Sequence, residues 1–325
     1  MNPIFFLRGR TALYFGLKYL KLKSGDKIFV PSLICDAVTD EIRRLKIKPV
    51  YYEINKNFDA KWNDIYQKYS KDIKGILMVH FFGKPQNLIK FKKFSKKKNI
   101  HLIEDNCHGF NGVKNIKFSG DITIMSPYKI INMINNGGIL FIKKNSKQNL
   151  LKLNSLENHK DAIFDDIKNK IKNFKILKNL YRSFIKRPDY ESLSVTKKIS
   201  VYNDKLLDEK TIKKIQDFSF KTERNLRVKR FKEWEKKIKE FNLTPYFNYT
   251  KKDNYILWYL VVKINNYESR KKIYDWGWNN NVDIISWPSF PKQFNKNCKT
   301  YRFSRKFVLF PLNKDFKDNV KKFKY

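Results

Sequence analysis

The sequence predicts an α/β protein: a large domain on a mostly parallel β-sheet, followed by a small α+β domain. Over the first 143 residues, short continuous apolar runs alternate with helical patterns, which is typical of strands that are covered on both faces. The C-terminal third combines two helical patterns with three strand-like runs. We place the boundary after residue 205, so that residues 1–205 form the large domain and residues 206–325 form the small one.

Strands of the large domain are predicted at residues 27–31, 48–53, 75–80, 101–105, 121–125 and 138–143. Helices are predicted between these runs, at residues 11–22, 36–45, 60–69 and 85–98. The last helix opens with Pro85, a residue type that is favoured in the first turn. Ligands of such sheets bind beyond the carboxyl ends of the strands, so we expect the functional site at that edge.

The rest of the chain is predicted from weaker patterns. Residues 164–185 carry an apolar helical stripe with a basic opposite face. Packing against the body or a partner subunit is favoured for this helix, and peripheral contact with an anionic membrane is the alternative. In the small domain we predict helices at residues 221–241 and 267–276 and strands at residues 255–264, 283–287 and 306–311.

The amino-acid composition and net charge limit the classes of function that we expect for the protein. With 325 residues, 42% of them hydrophobic, the chain can bury a full core. The net charge of +39 raises the question of nucleic-acid binding. However, the lysines are spread over the whole chain and accompany many Asn and Ile residues, a pattern typical of AT-rich genomes. We therefore expect a solvated basic surface that favours anionic substrates, and no nucleic-acid partner.

Cysteine and histidine usage gives further expectations. Three cysteines without close spacing predict a reduced, cytoplasmic protein with no disulfide framework. The four histidines show no metal-ligand spacing, so no metal is expected. We also expect no signal peptide and no membrane-spanning segment, because no apolar stretch is long enough.

Candidate catalytic residues follow two neighbouring strands. Asp105 ends one apolar run, Ser126 and Lys129 follow the next, and Gly137-Gly138 opens a further strand. A carboxylate for a pyridine nitrogen, a lysine for an aldehyde and donors for a phosphate are the groups that hold pyridoxal phosphate. His108 could stack on the cofactor ring or bind its oxygen. The sequence therefore predicts a pyridoxal phosphate site.

Each of these residues also has a structural interpretation. Asp105 could cap a helix after its strand, His108 could be a structural imidazole, and Lys129 could be one more solvated lysine. For catalysis Lys129 must act as a neutral amine, so we expect a nearby positive group and partial desolvation to lower its pKa.

Phosphate donors are predicted at the start of the first helix. Gly9 and Arg10 begin an amphipathic helix, where free backbone N–H groups favour a phosphate. The Ser126 hydroxyl could bind the same phosphate. Alternatively, Gly9 marks an ordinary turn before the helix.

Taken in order over the first 143 residues, five segments resemble the sugar aminotransferases of the DegT/DnrJ/StrS family. They are Phe6-Leu7-Arg8-Gly9-Arg10-Thr11-Ala12-Leu13, Gly25-Asp26-Lys27-Ile28-Phe29-Val30-Pro31-Ser32, Val79-His80-Phe81-Phe82-Gly83-Lys84-Pro85, Ile103-Glu104-Asp105-Asn106-Cys107-His108, and Gly120-Asp121 with Ser126, Lys129 and Gly137-Gly138. The resemblance implies the pyridoxal-phosphate-dependent transferase fold of type I, a homodimer with sites at its interface, a glutamate donor and a nucleotide-linked keto-sugar acceptor. The product would serve surface polysaccharide synthesis, including lipopolysaccharide.

The resemblance also implies a role for each candidate residue. Lys129 would bind the cofactor covalently and move the proton, and Asp105 would pair with its pyridine nitrogen. His108 would lie beside the ring. The phosphate would be held by Gly9, Arg10 and Ser126.

This chain departs from the family pattern in three places. Ser126 and Lys129 are two residues closer than in the commonest form, and a Gly-x-Asn-x-Arg segment is not evident after Gly138. Residues 33–35 lack the aromatic that often stacks on the ring. The alternatives are an aminotransferase with a different acceptor, a sugar dehydratase, or a catalytically silent basic binding subunit. Related dehydratases carry histidine at the position of Lys129.

Overall fold

The computed structural model describes residues 3–113, 118–143, 156, 204–286, 290–291, 298–312 and 323–324. The predicted helix at residues 164–185 lies outside them. The described residues form two compact units, one ending at Phe218 and the other starting at Ser219. The predicted boundary after residue 205 stays a prediction, because most of the segment before it lies outside the described residues.

The first unit alternates strands and helices around one sheet. In chain order its elements are β1 (Ile4–Phe6), α1 (Gly9–Tyr19), β2 (Lys27–Pro31), α2 (Asp36–Arg44), β3 (Lys48–Tyr52), α3 (Trp62–Lys68), β4 (Ile73–Val79), α4 (Leu88–Lys98), β5 (His101–Asp105), β6 (Ile122–Met125), β7 (Gly138–Ile142) and α5 (Glu209–Gln216). Short 3₁₀ turns lie at Phe81–Gly83 and Pro127–Lys129.

The seven strands lie in the order β1-β7-β6-β5-β4-β2-β3. Strands β3, β2, β4, β5 and β6 run parallel to one another, whereas β7 is antiparallel to β6 and β1 is antiparallel to β7. This confirms the predicted α/β class with a mostly parallel sheet. Since β5 and β6 are adjacent and parallel, the residues after their carboxyl ends meet at one edge.

A buried apolar cluster joins one face of the sheet to α3 and α4. It contains Phe29 of β2, Ile65 of α3, and Phe91 and Phe94 of α4. Tyr52 belongs to the same cluster and donates its hydroxyl to the Leu77 carbonyl at 2.8 Å. Burial raises the pKa of Tyr52, so this hydroxyl stays protonated. The cluster covers the side chains on one face of these strands.

Two boundaries differ from prediction near the end of β4. Helix α4 begins at Leu88, not at Pro85, because the Asn87 side chain accepts the Lys90 N–H at 3.1 Å and so caps the helix there. His80 was predicted in a strand, but β4 ends at Val79 and the chain turns at once into the Phe81–Gly83 segment. Strand β1 and helix α5 were not predicted.

The second unit contains α6 (Phe220–Lys239), β8 (Tyr259–Lys263), α7 (Tyr267–Asn279), α8 (Lys299–Ser304) and β9 (Phe307–Pro311). Strands β8 and β9 pair antiparallel. Both predicted helices are present. Of the predicted strand at residues 283–287, Ile285 forms a bridge to Leu309, and residue 287 lies outside the described part. Trp234 of α6 packs on Phe310 and donates its indole N–H to the Pro311 carbonyl at 3.1 Å.

Within the ranges that the structure describes, none of the helices has the length and apolar character needed to cross a bilayer.

Candidate active site

The sheet brings Asp105 and Ser126 to the same edge. Asp105 is the last residue of β5 and Ser126 follows β6, and both side chains are buried. The Asn106 N–H donates to the Ile124 carbonyl at 2.9 Å, which ties the end of β5 to β6. One Asp105 carboxylate oxygen accepts the Cys107 N–H at 2.9 Å. The adjacency that the sequence predicted for these residues is therefore present.

Lys129 ends the 3₁₀ turn that begins directly after Ser126. Its N–H donates to the Ser126 carbonyl at 3.1 Å, which holds the two residues in a tight turn. Burial works to lower the pKa of Lys129, but the acidic groups of Tyr128, Cys107, Cys35 and Asp105 outweigh burial and raise that pKa. The expected lowering of the pKa is thus wrong for the protein alone: Lys129 is an ammonium group with acidic neighbours, not one beside a positive group.

The start of α1 forms a tight cradle with Ser126. The N-cap residue Arg8 offers no side-chain cap, and the first N–H groups of a helix have no acceptor within it. A β-carbon on Gly9 would overlap the Ser126 hydroxyl oxygen and lie 3.6 Å from the Cys107 sulfur. The absence of a side chain at Gly9 therefore allows a hydroxyl and free N–H groups to converge.

The glycine pair before β7 holds this helix start in place. The Gly137 N–H donates to the Leu7 carbonyl at 2.9 Å. A β-carbon on Gly138 would overlap the carbonyl of Arg8, so only glycine allows β7 to pass this close to the chain that enters α1. The two glycines thus position the Gly9 cradle.

Arg10 lies in the first turn of α1, but its guanidinium is directed to an acidic residue of α2. Its Nε lies 4.0 Å from a carboxylate oxygen of Glu41, which is buried in α2. Arg44 contacts the other Glu41 oxygen at 3.3 Å. Burial raises the pKa of Glu41 although both arginines oppose the rise. Arg10 thus brings its backbone N–H to the cradle while its side chain contacts Glu41.

His108 lies in the loop after β5, close to the other groups. Its Nδ1 accepts the Phe82 N–H at 3.3 Å, and the two rings stack with centroids 6.3 Å apart. Burial, and the positive charge of Lys129, hold the pKa of His108 well below its ordinary value. His108 is therefore a neutral imidazole at physiological pH.

Two cysteines near the site were not predicted as site residues. Burial raises the pKa of Cys107 well above its ordinary value, and Asp105 adds to the rise. Burial also raises the pKa of Cys35, with Lys129 and Asp105 among the interacting groups. Cys107 could have been inferred from its place between Asp105 and His108. Cys35 could be inferred only from its position after β2, at the same edge of the sheet.

Among the residues described here, no His, Cys, Asp and Glu side chains form a group that could hold a metal ion.

Comparison with known proteins gives the family. The model of the DegT/DnrJ/EryC1/StrS aminotransferase family matches residues 4–174, more than half of the chain. The chain belongs to this family. The resemblance seen in the sequence segments is therefore confirmed.

Individual relatives match shorter stretches of the chain. GDP-perosamine synthase of Escherichia coli O157:H7 is 27% identical over 121 residues, which is 37% of this chain and 33% of that protein. GDP-4-keto-6-deoxy-D-mannose 3-dehydratase of Escherichia coli O55:H7 is 30% identical over 121 residues, 36% of this chain and 30% of that protein. The matched region thus spans about a third of the length of each of these curated relatives.

A solved structure extends the likeness in fold to nearly the whole chain. The Helicobacter pylori aminotransferase PseC, which is involved in pseudoaminic acid biosynthesis, superposes with a TM-score of 0.64 at 14% identity. The alignment covers 99% of this chain and 84% of that one. The fold of these aminotransferases is therefore the fold of this chain, as the resemblance implied.

Proposed function

We propose that this protein is a pyridoxal-phosphate-dependent aminotransferase that moves an amino group from glutamate to a nucleotide-linked keto-sugar. The observation that carries the proposal is the placement of Lys129, Asp105 and the Gly9–Ser126 cradle at one edge of the sheet. Family membership supports the same reaction class.

The groups at the site fit pyridoxal phosphate. The free N–H groups at the start of α1 and the Ser126 hydroxyl suit a phosphate, and the lack of a side chain at Gly9 lets that hydroxyl lie close to the helix start. The buried Asp105 carboxylate suits a protonated pyridine nitrogen. Lys129 supplies the amine for the aldehyde. When bound, the cofactor supplies an electron sink and carries the amino group between the two substrates.

Lys129 is the group that moves protons in this proposal. Because its acidic neighbours raise its pKa, the side chain is held as an ammonium ion before the cofactor binds. Nζ must lose a proton before it can react as an amine, and as a free amine Nζ would serve as the base at the substrate carbon. Asp105 stabilises positive charge in the same region throughout.

The acceptor and the assembly are finer parts of the proposal. A nucleotide-linked keto-sugar is supported by the names of the relatives, and the net charge of +39 favours such an anionic substrate. A homodimer in the cytoplasm, producing amino sugars for surface polysaccharide, remains a proposal. Nucleic acid is not among the proposed partners, and peripheral membrane contact remains the alternative for residues 164–185.

A sugar dehydratase is the second candidate, because one relative named as a dehydratase is 30% identical over its matched region. Both candidates would use the cofactor and Asp105. Lys129 favours amino transfer, since the dehydratases that the sequence resembles would carry histidine there. Analysis of the sugar product separates the two: amino transfer adds a nitrogen, whereas dehydration removes an oxygen and leaves no new amine.

The first experiment is the visible spectrum of the purified full-length protein with added pyridoxal phosphate. We expect an absorption band that is absent in Lys129→Ala and is bleached by glutamate. Borohydride reduction should abolish the band and leave the cofactor permanently attached to Lys129. Lys143→Ala is the matched control, because Lys143 is an exposed lysine at the end of β7. A wild-type protein without the band contradicts the proposal and favours a binding subunit of the same fold.

A further inference from the structure

We propose that Phe82 is a positioning residue: its backbone N–H, held by the His80–Glu104 pair, fixes His108 as the tautomer that carries its proton on Nε2. His108 would then offer the site a hydrogen-bond donor and would select a ligand oxygen, not a ligand donor, at that position. The part of this inference that concerns the ligand oxygen rests on the proposed function. The tautomer itself is a property of the chain alone.

The first step is the contact between Phe82 and His108. The Phe82 N–H donates to His108 Nδ1 at 3.3 Å. A ring nitrogen that accepts a hydrogen bond carries no proton, and a neutral imidazole then has its single proton on the other nitrogen. The lowered pKa of His108 agrees with a neutral ring.

The second step is the backbone of Phe82. This residue has φ 58° and ψ 12°, a left-handed conformation that is rare for a residue with a bulky side chain. Its ring is fully buried and packs edge-on against Phe58 as well as stacking on His108. Such a conformation persists where the surroundings hold it, and it occurs preferentially at functional sites.

The third step is the side chain of His80, which holds the two ends of the turn. Its Nδ1 accepts the Gln86 N–H at 3.0 Å, so its proton is on Nε2, and Nε2 donates to Glu104 at 3.0 Å. The other Glu104 oxygen accepts N–H groups of Ser119 and Gly120 and the hydroxyl of Thr123. The side chains of His80, Glu104 and Thr123 are buried, so this hydrogen-bonded network holds the turn rigidly.

The fourth step is the close approach of the turn to the loop that carries His108. The His80 N–H donates to the Asp105 carbonyl at 3.0 Å. A β-carbon on Gly109 would lie 3.0 Å from the Gly83 α-carbon and 3.2 Å from the Gly83 oxygen. With glycine on both sides, the two backbones pack directly, which brings the His108 ring within hydrogen-bond distance of the Phe82 N–H.

The experiment is ring nitrogen NMR of the full-length protein labelled with ¹⁵N-histidine, recorded without added cofactor. The chain has four histidines, so a His108→Gln variant assigns the two His108 signals. We expect an unprotonated Nδ1 and a protonated Nε2 for His108. A proton on Nδ1, or on both nitrogens, overturns the proposal.

Two variants test which groups fix the tautomer: one removes the Phe82 ring, and the other breaks the His80–Glu104 pair. Phe82→Gly keeps the N–H and tolerates positive φ, so we expect the single-tautomer signature to remain. Glu104→Gln breaks the network below the turn, and we expect the two His108 signals to shift toward a tautomer mixture. An unchanged pattern in a folded Glu104→Gln variant would remove the His80–Glu104 pair from the proposal. None of these spectra depends on the cofactor, so failure of the proposed function would be seen separately, as a missing absorption band.

Discussion

The α-carbon of Gly9 and the hydroxyl of Ser126 are so close that a β-carbon on Gly9 would overlap the Ser126 oxygen. One residue begins α1 and the other follows β6, so the contact joins a helix start to a strand end. The Cys107 sulfur lies on the same side of Gly9, 3.6 Å from the position of such a β-carbon. The side chains there leave little space for a residue larger than glycine.

A Gly9→Ala substitution should therefore weaken the binding of pyridoxal phosphate. The new methyl group forces the Ser126 hydroxyl to rotate away from the helix start, which removes one hydrogen bond to the phosphate. A hydrogen bond to a charged group contributes about 1.5–3 kcal/mol, so we expect a loss of affinity of roughly 10- to 100-fold. Titration of the visible absorption band with cofactor measures this affinity.

The mechanism of that loss has its own test. If Gly9→Ala acts through the hydroxyl, Ser126→Ala should cause a similar loss, and the double variant should bind no worse than either single one. Gly16→Ala is the control on the same helix, because its β-carbon meets Ile122 and Leu140 side chains, far along α1 from the cradle. That variant should melt at a lower temperature with unchanged affinity. Additive losses in the double variant would exclude the shared hydroxyl.

Asp105 should contribute to the low reactivity of Lys129 before the cofactor binds. Tyr128, two cysteines and Asp105 together raise the pKa of Lys129, so an Asp105→Asn variant should have a lower pKa at this amine. At pH 8 the neutral fraction, and hence the rate of reductive methylation at Lys129, should increase. Peptide mass spectrometry follows that one lysine among the many, with Asp217→Asn as the control. An unchanged rate would show that Asp105 does not stabilise the ammonium form.

The order of most elements and the placement of Asp105 and Ser126 at strand ends could be predicted, because both depend on local patterns. The strand that ends at Asp105 and the strand before Ser126 are adjacent and parallel. The residues at their carboxyl ends therefore lie at the same edge of the sheet. The pKa of Lys129 could not be predicted in this way, because only Tyr128 is its sequence neighbour, whereas Cys107, Cys35 and Asp105 are brought beside it by the fold. The turn at Phe82 was also missed, because the residues on either side of it are held by tertiary contacts: His80 bonds to Glu104, and Gly83 lies against Gly109.

Glu104 should contribute to stability in a pH-dependent manner. Burial works to raise its pKa, but hydrogen bonds from His80, Ser119 and Gly120 outweigh burial and lower it below the usual 4.5. Its contribution is therefore fully present above the unfolded-state pKa and is lost as the pH falls through the folded-state pKa. Replacing Glu104 by Gln leaves buried donors poorly matched, so we expect a loss of about 3 kcal/mol in the free energy of unfolding at pH 7.

Urea denaturation of wild type and Glu104→Gln at several pH values measures this contribution. The difference between the two proteins should be constant from pH 6 to 7 and should shrink progressively below about pH 4.5. Asp59→Asn serves as a control, since this carboxylate is half-exposed on the Asn55–Ala60 turn. A difference that grows on acidification would mean that the folded protein does not favour the ionised form of Glu104.

Arg227 should be important for the stability of the second unit. It is fully buried in α6, where its Nη1 donates to the carbonyls of Leu257 and Trp258 at 2.9 Å each, and its Nε donates to Glu223 at 2.6 Å. An Arg227→Met variant keeps the apolar length but leaves two buried carbonyls and a carboxylate without this donor. Removal of one partner from such a group costs about 3–5 kcal/mol, so the variant should unfold at a clearly lower urea concentration.

The control variant is Lys229→Met, an exposed change two residues along α6, which should have little effect. Hydrogen exchange should show the loss of protection in α6 and in β8, next to the two carbonyls. If β5 instead lost protection first, Arg227 would not act through the contacts within its own unit.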